Sequence, residues 1–266
     1  MVRTLTLTDA AVDILKTADP LEKTRLTRLT RSAWRGGDIV AIGQCRPPPR
    51  PARPEQPQIL PPNRMPRRGT GGTKGRIALL HALAHIELNA IDLAWDIIAR
   101  FAGDNLPKAF FDDWVGVAHE ESEHFLALEA LLKALGSAYG NESAHDGLWD
   151  AAEKTSGLLR ERLAVIPMAL EARALDTAPA TIRRLRAIDD AAGVAVLERI
   201  LEDEIAHVAT GVRWFEYFCQ QGALDPIATY QEVIRRHFTN GLKAPFNLEA
   251  RRQAGFSPDY YLSLAS

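Results

Sequence analysis

Four long stretches of the chain repeat apolar positions with the 3.6-residue period of a helix, and a glutamate interrupts the apolar pattern of each. In residues 75–101, Leu80, Leu83, Ala84, Ile91, Ala94 and Ile98 form one stripe with Glu87 in its middle, closed by Gly103, Asp104, Asn105 and Pro107. Residues 107–135 carry Trp114, Val117, Ala118, Phe125, Leu128 and Leu132. Glu121 and His124 are the only polar members of that stripe, and Gly136 stops it. A third helix is predicted over 158–176, with Pro167 one turn before Glu171, where a kink or one opened backbone hydrogen bond is expected. The fourth starts near 178 or 187 and reaches 220. Its stripe of Leu197, Ile200, Leu201, Val208 and Phe215 is broken by Glu204 and His207. The fold class is therefore all-α.

Shorter patterns flank this set. Residues 1–35 read as two modest helices, the first capped by Thr8 or Asp9, the second opening at Asp19 and Pro20, with Gly36 and Gly37 as the break. A long connection runs from 137 through a helical stretch at 148–162. The tail adds a helix over 227–238 and a loop over 240–247. The expected organisation is an N-terminal helical segment (1–45), a Pro/Arg-rich strap (46–76), a helical bundle (77–222) and a C-terminal extension packed on it (223–266).

The strap changes the composition sharply. Nine prolines, from Pro47 to Pro66, exclude regular helix and central strand and leave polyproline II segments and turns. It carries Arg46, Arg50, Arg53, Arg64, Arg67, Arg68, Lys74 and Arg76 against Glu55 alone. An electropositive arm for RNA is one reading. No aromatics interleave with the arginines to stack bases, so an extended strap with its arginines solvated or paired with helix acids is preferred. The glycine-rich run from Thr70 to Gly75 follows no strand and lacks the spacing of a phosphate loop.

Composition adds little else. The 266 residues are 46% hydrophobic and 25% charged, with a formal net charge of −2, which gives no global reason to expect a polyanion or an anionic membrane as partner. Cys45 and Cys219 do not make a disulfide framework. No uninterrupted apolar run approaches the roughly 18–20 residues that span a bilayer, and no signal-peptide core opens the chain. A cytoplasmic location is expected.

The chemistry lies in the interrupting residues. Glu121 with His124, and Glu204 with His207, are two Glu-x-x-His motifs, and residues three apart share a helix face. Each motif follows another on-stripe glutamate, Glu87 thirty-four residues and Glu171 thirty-three residues earlier. Glu120, Glu123, Glu202 and Glu216 lie off the stripes and read as surface acids. Four carboxylates buried together would repel one another and each would cost several kcal/mol, roughly; cations at the centre relieve that cost. The stripes offer no Lys or Arg, since Arg173 faces elsewhere. Glu87, Glu121, His124, Glu171, Glu204 and His207 are thus expected to hold two metal ions. Oxygen ligands with one imidazole per ion favour iron, with manganese or a Mn/Fe pair also suitable. Glu120 and Asp203, each just before a motif glutamate, read equally as partners of the ligand histidines or as surface charge. His81, His85 and His119 are expected to pack or to support the ligands.

The order Glu, Glu-x-x-His, Glu, Glu-x-x-His resembles the ferritin-like superfamily with its di-metal carboxylate four-helix bundle. The segments His81–Ala94, His119–Phe125, Leu170–Asp176, Asp203–Val208 and Leu242–Asn247 more narrowly resemble an uncharacterised bacterial domain-of-unknown-function 455 family, over nearly the whole chain. One departure is Ala244 before Pro245, where two prolines are expected. The di-iron tRNA hydroxylases are a more distant likeness. The resemblance implies pairing of Asp203 with His124 and of Glu120 with His207. It also implies an O₂-activating oxidoreductase with an electron donor, acting on a small molecule or a modified nucleoside. Iron oxidation and storage, or peroxide scavenging without an organic substrate, is the alternative, and a homodimer is left open. The loop from Phe238 to Asn247 reads either as a cover for the centre, with Lys243 attracting an anionic group, or as a cap on a bundle end.

Overall fold

A computed structural model describes residues 5–66, 71–103 and 106–266; Arg67, Arg68 and Thr70 of the strap and the Asp104, Asn105 stop lie outside the described residues. All named elements among the described residues are helical, and extended backbone pairs only in two isolated bridges. The chain divides into two compact units, Met1–Asp150 and Ala151–Ser266.

In the first unit, α1 (Leu7–Leu15) begins at Thr6 and not at Thr8 or Asp9. The Thr6 hydroxyl accepts from the Asp9 N–H while the Asp9 carboxylate accepts from the Thr6 N–H, so Asp9 closes a capping box from inside the first turn. The second helix, α2 (Pro20–Gly36), starts as expected on an Asp19 cap and ends at Gly37 in the left-handed region, φ 82°. Two long helices follow, α3 (Gly72–Phe101) and α4 (Lys108–Ala134), which pack along each other. The short helices cover them, α1 on α3 and α2 on α4.

The pattern predicts one buried stripe on α3, but every residue from Glu87 to Ala99 is buried. The reason is the cover on its other side. Lys23 of α2 and Arg53 of the strap both pair with Asp92, Arg53 also donates to Asn89, and Arg100 holds Asp96 at 2.6 Å. The strap is fastened by main chain as well: Ala52 N–H donates to Leu15 O, and Ile59 bridges to Ala144. Arg50 pairs with Asp146. For Arg50 and Arg53, pairing with acids is what the structure shows. By length and composition α3 has the makings of a membrane span, yet 72% of its apolar window is buried inside the protein, as in a core helix.

The helix α5 (Gly147–Lys154) leads into the second unit, which opens with α6 (Leu159–Val165) and a π turn over Ile166–Glu171. Pro167 has no N–H to donate to the preceding turn, and the backbone widens there. The next helix, α7 (Ala172–Arg186), runs ten residues past the end predicted at 176. Pro179 forgoes one hydrogen bond, but Leu175, Ile182 and Leu185 continue a buried stripe through it. After a short turn α8 (Ala191–Gln221) returns along α7.

The tail belongs to this unit's core. It comprises α9 (Pro226–His237), α10 (Leu248–Gln253) and α11 (Pro258–Tyr261). Tyr230, Phe256 and Tyr260 pack edge to face and are buried. Arg251, 2% exposed, pairs with Asp176 of α7 and lies over the rings of Phe246, Phe256 and Tyr261. Two residues after Glu171, Arg173 donates to the carbonyls of Lys243 and Pro245. The 243–247 loop is therefore tied to α7.

Candidate metal centre

In the first unit the helix pair brings together three of the residues singled out by the pattern. Glu87 comes from the middle of α3, and Glu121 and His124 from one face of α4; all three are buried. His124 Nδ1 stands 3.2 Å from Glu87 Oε2 and 3.4 Å from Glu121 Oε2. One ligand atom from each lies within 4.8 Å of the others, so this buried Glu/His group can hold a metal ion. The donor set suits such an ion: two carboxylates and an imidazole are ligands for a hard or borderline cation, with bonds of about 2.0–2.2 Å.

The electrostatics of the group follow from burial and crowding. Burial, and then the neighbouring Glu121 charge, push the Glu87 carboxyl well above the usual carboxylate range, with His124 acting in the opposite sense. Burial alone would lower His124, but hydrogen bonds and charge from Glu121 and Glu87 outweigh it and raise the imidazolium to about 11. Both shifts favour the protonated forms of Glu87 and His124 in the absence of a cation.

In the second unit, Glu204 and His207 are buried on one face of α8, with Glu204 Oε1 3.8 Å from His207 Nδ1. Each motif thus turns its imidazole Nδ1 toward its own glutamate. Glu171 is half-buried at the last position of the π turn. Two approaches mark how the segments pair: a Cβ on Gly193 would meet its own cap, Asp190, at 2.5 Å and Leu185 at 3.1 Å, and one on Gly211 would meet Pro167 at 2.6 Å. Leu185 lies eighteen residues after Pro167, and Gly193 eighteen before Gly211, so the segments run antiparallel in step. Glu171 follows Pro167 by four residues at the end of the π turn, and His207 precedes Gly211 by four residues on α8.

Outside the ligand set, His85 is buried, with Nδ1 2.8 Å from the Tyr139 hydroxyl and Nε2 3.1 Å from the His145 carbonyl. Burial and then the Arg53 charge depress it to about 4. His81 stacks on Tyr139 and accepts from the Gly140 N–H. Both have the packing roles expected of them. Glu120 and Asp203 are half-buried, and Asp203 faces Arg199 at 3.6 Å. Pattern reading missed Tyr139 and the Lys23–Asp92–Arg53 cluster. Asp92 and Asp96, acids four apart inside an apolar run, were the available signal.

Over residues 16–262 the chain matches the family described as protein of unknown function, DUF455. The chain belongs to the DUF455 family. An uncharacterised protein of Haemophilus influenzae is 39% identical over 213 residues, covering 77% of this chain and 73% of its own. No solved structure matches. The DUF455 match includes all six residues of the two motif sets, from Glu87 to His207.

Proposed function

We propose that this chain is a non-haem di-metal carboxylate protein, an O₂-activating oxidoreductase, built as a ferritin-like four-helix bundle from α3, α4, the π turn with α7, and α8. Glu87, Glu121 and His124 hold one side of the centre, and Glu171, Glu204 and His207 the other. The observation that carries the reading is the convergence of Glu87, Glu121 and His124, buried and within 4.8 Å. The second Glu-x-x-His on α8, with the same turn of Nδ1 toward its glutamate, supports a symmetric partner set.

Iron, or manganese with iron, would supply the redox-active Lewis acid that binds and polarises dioxygen. The chain's own part is to hold and insulate. Four carboxylates balance the charge of two divalent ions, and the imidazole Nδ1 atoms complete the ligand set. Burial of Glu87, Glu121, His124, Glu204 and His207 keeps bulk water from the centre.

The test is the metal content of the purified protein, followed by O₂ uptake after loading with ferrous iron. Two metals per chain and stoichiometric O₂ consumption are expected, with Glu121→Ala and Glu204→Ala each losing at least one metal. A chain without bound metal, or two metals in both variants, refutes the assignment.

A further inference from the structure

Gly211 is placed where a side chain has no room. It lies inside α8, and a Cβ there would meet Pro167 Cβ at 2.6 Å and Pro167 Cγ at 2.8 Å. Real Cβ atoms do not approach that closely, and the atoms it would meet belong to a proline ring and cannot swing aside. The backbone of Gly211 is ordinary helix, so the position uses the missing side chain and not left-handed freedom. An interior glycine weakens a helix relative to alanine, so its place here requires a packing reason. Gly116, inside α4, has no such contact: nothing lies within 4 Å of its Cβ position.

The contact sits about one turn from two of the residues assigned above. Pro167 opens the π turn that ends at Glu171, and Gly211 follows His207 by one helical turn on the same face. A π turn does not have the fixed pitch of an α-helix, so its end is located by what it packs against. Pro167, held on Gly211, is that point.

We propose that Gly211 is a positioning residue for the second ligand set: by letting α8 close on Pro167, it fixes the height of the π turn and brings the Glu171 carboxylate level with His207. This rests on the proposed metal function. Any side chain at 211 would push the π turn outward and withdraw Glu171, while leaving Glu87, Glu121 and His124 untouched.

The experiment titrates Mn(II) alone into the full-length protein and two variants, with bound metal counted and folding followed by circular dichroism. Wild type is expected to take up two equivalents. Gly211→Ala should stay helical and bind the second equivalent on the order of tenfold to hundredfold more weakly. Val212→Ala, a cavity in the buried neighbour of Gly211, should lower the melting temperature without changing the metal count. Two tight equivalents in folded Gly211→Ala overturn the proposal. So does a Gly211→Ala protein that loses its helicity, or a Val212→Ala protein that loses the second equivalent. If wild type binds no metal, the failure lies in the proposed function itself and is seen before any variant is made; the positioning role falls with it.

Discussion

His124 of α4 turns its Nδ1 toward Glu87 Oε2 on α3, 3.2 Å away and out of reach of solvent. The carboxyl and the imidazole are each pushed up, one by burial and the other by its acidic neighbours. A cation entering here meets protons before it meets ligands. Metal uptake should therefore release protons, and the apparent affinity should rise with pH. Calorimetry in two buffers of different ionisation enthalpy measures the release; identical heats in both would contradict it.

The same shifts set the stability of the metal-free protein. A carboxyl whose folded pKa is raised contributes stability below its unfolded value, near 4.5 for Glu87, and loses it as pH rises through the folded value. His124, raised to about 11, contributes stability fully below its unfolded 6.5 and loses it as pH climbs toward 11. Both slopes have the same sign. The melting temperature of metal-free protein should fall from acid toward alkaline pH, and the gap to metal-loaded protein should widen. Parallel melting curves across that window would argue against a buried cation site.

Asp92 is the pivot of the strap. Burial pushes the Lys23 ammonium down, and the Asp92 charge opposes that shift. Asp92→Asn leaves the buried Lys23 without its carboxylate, while Arg53 keeps Asp146 at 4.0 Å, and should cost about 3–5 kcal/mol, read from denaturant unfolding. Arg50→Ala, at an exposed pair, should cost less than about 1 kcal/mol.

Removal of residues 238–266 should unfold the second unit, because Arg251, Phe256, Tyr260 and Tyr261 are buried in it. From sequence the loop reads either as a cover for the centre or as a cap on a bundle end; its ties to Arg173 and Asp176 make it structural. Arg251→Ala alone should destabilise the unit by about 2–4 kcal/mol, because it empties the space between Phe246, Phe256 and Tyr261 and leaves Asp176 with Arg173 as its remaining cation. A truncated chain with a native melting transition would refute this.

The ligand helices were legible because a polar residue on a buried stripe stands out by phase, as Glu87, Glu121 and Glu204 do. The outer face of α3 was not. Its acids are satisfied by Lys23 and Arg53, sixty-nine and thirty-nine residues from Asp92, and no local period reveals a partner that distant. The helix predicted to end at 176 runs on to Arg186, since the buried Ile182 and Leu185 outweigh the one hydrogen bond that Pro179 forgoes. Pro167 was informative because the whole turn yields there.

The Arg251–Asp176 clamp also has a consequence for biosynthesis. A ribosome delivers α7 some seventy-five residues before Arg251, so a nascent chain carries Glu171 on a helix that its own tail has not yet gripped. The first helix pair has by then been made, with Glu87, Glu121 and His124 in place. On the proposed assignment, one set of candidate ligands is thus complete well before the other, and the direction of translation sets the order in which the two could be loaded.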